Sequence, residues 1–68
     1  MKTSARNQLK GTVTAVTLGA VMAEVIVDVG GATVVAAITK DSAEKLGLAE
    51  GTSVTAIIKA TDVMIGTD

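Results

Sequence analysis

The sequence contains no cysteine, no histidine and no aromatic residue. Without cysteine there is no disulfide, and without His or Cys no ordinary zinc site can form. Lacking Phe, Tyr and Trp, the chain also lacks the side chains that bury most area each and on which nucleobases stack. Cations are sparse: Lys and Arg together number 6 against 7 Asp and Glu, for a net charge of −1. That balance argues against a nucleic-acid binder working by bulk electrostatics. No apolar run is long enough for a membrane span, and Met1 to Leu9 is polar with no signal-peptide core. Neither membrane nor secretion is expected, and cytoplasm is the default location. Catalysis is also poorly supplied. There is no His, Cys or Tyr to act as base or nucleophile, no Gly-x-Ser-x-Gly or phosphate-cradling loop, and the carboxylates are scattered. The expectation is a protein that is not an enzyme.

What is present is aliphatic. Hydrophobic residues make up 49% of 68 residues, carried by Val, Ala, Ile and Leu, and mean hydropathy is +0.55. A chain of this length forms one small domain, residues 1–68, which is marginally stable alone. So much aliphatic surface with so few other supports predicts an obligate homo-oligomer.

Leu9, Gly11, Val13 and Ala15 alternate with Lys10, Thr12 and Thr14, the period of a half-buried strand. Val16 and Leu18 fall on the opposite phase, which predicts a bulge or bend near Ala15. A turn at Leu18-Gly19-Ala20 leads to a second strand whose apolar face is Val21, Ala23, Val25, Val27 and Val29. Gly30-Gly31 fits a two-residue hairpin turn. Ala32 to Ile38 is apolar at nearly every position, so both its faces are expected to be covered, the second most simply by another subunit. Thr39 to Leu48 reads as a short helix. Asp41 and Glu44 have capping-box spacing, Thr39 is an alternative N-cap, and Gly47 suits the C-terminal cap with Leu48 folding back. After a turn at Glu50-Gly51, Val54, Ala56 and Ile58 alternate with Thr55, Ile57 and Lys59, and Val63 and Ile65 make a last short strand. Three strands, a helix and two strands is the element order of an OB-fold. The fold class is therefore all-β, a five-stranded OB-fold-like barrel with one short helix between strands three and four.

One stretch stands apart from the aliphatic pattern: Ser4-Ala5-Arg6-Asn7-Gln8-Leu9-Lys10-Gly11. It gathers hydroxyl, guanidinium, ammonium and carboxamide groups, and Arg6 with Ser4 and successive backbone N–H groups in a nest would suit an anion. The same residues also read as ordinary polar groups of an N-terminal arm. Lys59 likewise reads as an exposed cation, and Thr39 and Ser42 as capping hydroxyls, although a helix N-terminus also attracts oxyanions.

The stretch resembles the SARNQLxG signature of the molbindin (Mop) family, which binds molybdate and tungstate. Further similarities follow in order: Met22-Ala23-Glu24-Val25, Gly30-Gly31, Ile38-Thr39 through Asp41-Ser42, Leu46-Gly47-Leu48, Gly51, and Lys59-Ala60-Thr61-Asp62-Val63-Met64. The resemblance implies an OB-like barrel assembled as a homohexamer, a trimer of dimers with strands exchanged between paired subunits and tetrahedral oxyanions at subunit interfaces. It also implies the anion's ligands: Ser4, the Ala5 amide and Arg6 from the signature, Lys59, Ala60 and Thr61 from a Lys-x-Ser/Thr element, and Thr39 and Ser42 at the helix start. The bound ligand would be molybdate or tungstate, with no organic cofactor, serving intracellular molybdenum storage or homeostasis. Two other readings stay open, a structural oligomerisation module and an OB-fold nucleic-acid binder, the latter short of aromatic platforms and a basic groove.

Overall fold

A computed structural model describes residues 1–68. The first strand, β1 (Asn7–Leu18), is 12 residues long and serves two neighbours in turn. Its first half pairs antiparallel with β4 (Ser53–Ile58), from Asn7↔Ile58 to Thr12↔Ser53. Its second half pairs with β2 (Met22–Asp28), from Thr12↔Asp28 to Leu18↔Ala23. The expected bulge lies where the alternation breaks, with the register shifting between Val13 and Ala15. The Thr14 hydroxyl there donates to the Ile26 carbonyl at 3.3 Å. The irregularity lets Val13 and Val16 both pack inward although they are three positions apart.

The second hairpin joins β2 to β3 (Thr33–Thr39) through Gly30 and Gly31, whose φ angles of +83° and +90° are those a primed two-residue turn demands. Asp28 steadies the turn by accepting a hydrogen bond from the Gly30 amide at 2.9 Å. The helix, α1 (Lys40–Lys45), is capped by Thr39 rather than Asp41: the Thr39 hydroxyl accepts from the Ser42 amide at 3.1 Å. It ends in a Schellman motif. The Gly47 amide bonds the Glu44 carbonyl at 3.0 Å and the Leu48 amide bonds that of Ala43 at 3.1 Å. Leu48 thereby turns back onto the core.

That core is small. Val13, Val25 and Val27 form its centre, with Ala23 and Ala43 the only other buried residues of 68, and no polar side chain is buried.

The strand order is β3-β2-β1-β4, a curled OB-like sheet of four strands rather than five. The expected last strand does not form. Residues Ala60–Asp62 make a 3₁₀ turn, and Val63 beyond it has strand-like angles, φ −88° and ψ 128°, with no strand beside it. Met64 and Ile65 are about nine-tenths exposed. An extended backbone becomes a strand only when a neighbour takes up its N–H and C=O groups, and this tail meets none within its own chain. In consequence the barrel stays open, with β3 and β4 as free edges. Between them lies a groove of about 520 Å³ lined by Val34, Ala36 and Ile38 on one side and Val54, Ala56 and Ile58 on the other.

Candidate oxyanion site

The β1–β4 register places the signature stretch. Asn7 stands opposite Ile58, the last residue of β4, so Ser4, Ala5 and Arg6 leave the sheet at the same end as Lys59, Ala60 and Thr61. Two segments distant in sequence thus leave the ladder at the same end. The arm has a defined shape. The Ala5 amide donates to the Thr3 hydroxyl at 3.2 Å, and the Gln8 carboxamide donates to the Ala5 carbonyl at 2.6 Å. Asn7 links the two segments, its Nδ2 donating to the Ile58 carbonyl at 3.2 Å. Composition and motif gave this carboxamide no such role, because the contact depends on strand register, which a lone sequence does not display.

The nest expected through Ala5 and Asn7 is absent. No residue other than glycine has a positive φ, so the alternating right- and left-handed backbone of such a nest does not occur in the arm. The Ala5 amide is moreover turned to Thr3. Donor chemistry at this end therefore comes first from side chains.

Those side chains are free. Ser4, Arg6, Lys59 and Thr61 are all exposed and take part in none of the chain's side-chain hydrogen bonds. The two ion pairs both lie along the helix, Lys45 to Asp41 at 3.0 Å and Lys40 to Glu44 at 3.9 Å. Arg6 and Lys59 thus keep their charge uncompensated by any carboxylate of the chain. A guanidinium, an ammonium and two hydroxyls form a donor set suited to a fully ionised oxyanion, and the one carboxylate of the same turn, Asp62, forms no ion pair with either cation.

Thr39 and Ser42 lie elsewhere. Thr39 pairs with Met22 at the far end of the sheet, where Leu18 closes β1. Thr39 Oγ1 accepts from the Ser42 amide and also bonds Ser42 Oγ at 2.8 Å, so Ser42 carries the less committed hydroxyl of the pair. A twelve-residue strand spans about 36 Å when straight. Even bent at the bulge, β1 holds Arg6 and Ser42 at opposite ends of one chain. The fold brings six of the eight expected residues to one end and the other two to the opposite end. Asp41 faces Lys45 along the helix rather than standing between the two hydroxyls.

Comparison with known proteins locates this architecture. Residues 3–65 match the TOBE domain. The chain is 58% identical over 66 residues to molybdenum-pterin-binding protein 3 of Clostridium pasteurianum, covering 96% of this chain and 97% of that one. A molybdate-binding protein of Sporomusa ovata superposes with a TM-score of 0.93 at 45% identity, covering 98% of this chain and 100% of that one. The cytoplasmic molybdate-binding protein ModG, with molybdate bound, gives a TM-score of 0.93 at 40% identity, over 100% of this chain and 49% of that one. A family model over residues 3–65, a shared fold and high identity over nearly the whole length agree: the chain belongs to the TOBE-domain family, within its molbindin (Mop) group.

Proposed function

We propose that the protein binds molybdate or tungstate as an intact tetrahedral oxyanion between copies of its own chain, as a cytoplasmic store or buffer of molybdenum. The observation that carries this reading is the convergence of Ser4 and Arg6 with Lys59 and Thr61 at one end of the β1–β4 ladder, all exposed and unpaired with any carboxylate. Thr39 and Ser42, held at the other end of each chain, complete the site when contributed by a neighbouring copy. The open groove, the unpaired apolar tail and the small core support assembly, and a homohexamer built as a trimer of dimers is the form proposed. The role is binding rather than catalysis. The anion stands alone as ligand, because the chain offers no aromatic ring on which a pterin would stack.

Selectivity follows from the donor set. Near neutral pH hydrogen phosphate keeps a proton that needs an acceptor, and burying it unpaired costs about 1–3 kcal/mol. Molybdate, tungstate and sulfate carry no such proton, so only cavity size separates sulfate from the others. Isothermal titration with molybdate, sulfate, phosphate and a short oligonucleotide tests the reading. Molybdate should bind tightly, sulfate weakly and phosphate most weakly, with no heat from the oligonucleotide. Equal displacement by phosphate would mean that an acceptor lines the site. A chain that assembles without taking up molybdate would instead be a structural module.

A further inference from the structure

We propose that Asn7 is a positioning residue that holds the two halves of the site in register before the anion arrives. The inference rests on the oxyanion reading above. Three side-chain bonds shape the region, and they differ in reach. Thr3 and Gln8 bond only to Ala5, within the arm itself. Asn7 alone reaches across 51 positions of sequence, from the foot of the arm to the carbonyl of Ile58, immediately before Lys59. It is also half-buried, whereas Ser4, Arg6, Lys59 and Thr61 are exposed and otherwise untethered. The β1–β4 ladder ends at this pair, so beyond it no backbone pairing fixes the arm against the Lys59–Thr61 turn.

Strand ends fray, and a frayed end lets Arg6 and Lys59 move independently. An anion that needs both must then order them on binding, and that cost is subtracted from affinity. With Asn7 bonded to Ile58, the ordering is met during folding instead. Asn7 touches no ligand in this scheme; it acts through Arg6 and Lys59.

The test compares four assembled proteins: the unaltered chain, Asn7→Leu, Asn7→Ala and Thr14→Val. The last removes a side-chain-to-backbone bond of the same kind from the same strand, at the bulge, away from the site. Molybdate should bind Asn7→Leu roughly three- to tenfold more weakly, the worth of one hydrogen bond, and Thr14→Val with affinity unchanged. Amide exchange in the free Asn7→Leu protein should quicken at residues 4–6 and 59–61, return to the original rate in saturating molybdate, and stay constant in β2. Should the leucine variant not fold, Asn7→Ala carries the same readouts. Unchanged affinity in a folded Asn7 variant would overturn the proposal, as would exchange that rises uniformly through the sheet. If the unaltered chain takes up no molybdate, the oxyanion reading fails and this proposal with it.

Discussion

Glycine 11, the last residue of the signature, has a physical reason to be glycine. A methyl group there would run into the Asp28 carbonyl and lie 2.8 Å from Val27 Cγ1 and 2.9 Å from Val29 Cγ1. The first of these contacts is backbone, and the two valines flank Asp28 where β2 enters its turn, so none of the three yields cheaply. Gly11→Ala should cost about 1–3 kcal/mol, read as a lower urea midpoint with an unchanged slope. Arg6 poses the opposite kind of question, since it is exposed and supports nothing in the isolated chain. If its planar fork binds the anion, Arg6→Lys keeps the charge yet loses most of the affinity, tenfold or more by titration, while the melting temperature stays put. Lys59→Ala should also weaken binding, and more steeply at low salt, because an ammonium acts as a point charge. Wild-type affinity in both variants would return these cations to a merely solvated role.

The elements divide into those whose signals are local and those that need a neighbour. The helix is local at both ends, and its N-terminal hydroxyls have separable duties. Thr39 caps, so Thr39→Ala should lower stability by about 1 kcal/mol, or several degrees of melting temperature in a chain this size. Ser42 has the less committed hydroxyl, so Ser42→Ala should weaken molybdate binding with a smaller thermal effect. Loss of affinity only in the Thr39 variant would reverse that assignment. Four strands, the bulge, the glycine hairpin and the Gly47 cap were all legible in the sequence, because each follows from residue period or from backbone angles within a few positions. Capping was the one local ambiguity: Asp41 and Thr39 both offered an oxygen, and the ladder's end at Met22↔Thr39 places Thr39 at the helix mouth. Val63 to Ile65 could not be decided from sequence, since alternation reports a strand-like backbone and says nothing about whether a partner is there. The same limit applied to the site. Its residue types were readable from the signature, but their separation to two ends of the chain follows from β1 pairing with β4 by one half and β2 by the other.

At the scale of the molecule, a site divided between the two ends of a chain ties ligand to assembly. If the anion binds where chains meet, as proposed, dilution should lower the melting temperature and saturating molybdate should blunt that dependence. A concentration-independent melt with a monomeric mass by light scattering would refute the assembly. One feature bears on what happens earlier, while the protein is being made. The free edge β3, Thr33 to Thr39, has neither charge nor proline, and its outward Val35 is 61% exposed. Natural sheets guard such edges with lysine, proline or a bulge; this one has none. A newly released chain is therefore a template for indiscriminate cross-β stacking until a partner, in the proposed assembly a sister chain, covers it. The hazard is a race between two second-order processes, proper pairing and fibril nucleation. Neighbouring ribosomes on one messenger would favour the first by supplying sisters at high local concentration. Val35→Lys should slow fibril growth of the acid-dissociated chain, followed by thioflavin fluorescence, and should also impair native assembly. The exposure that makes the edge available to a proper partner is the same exposure that makes it dangerous alone.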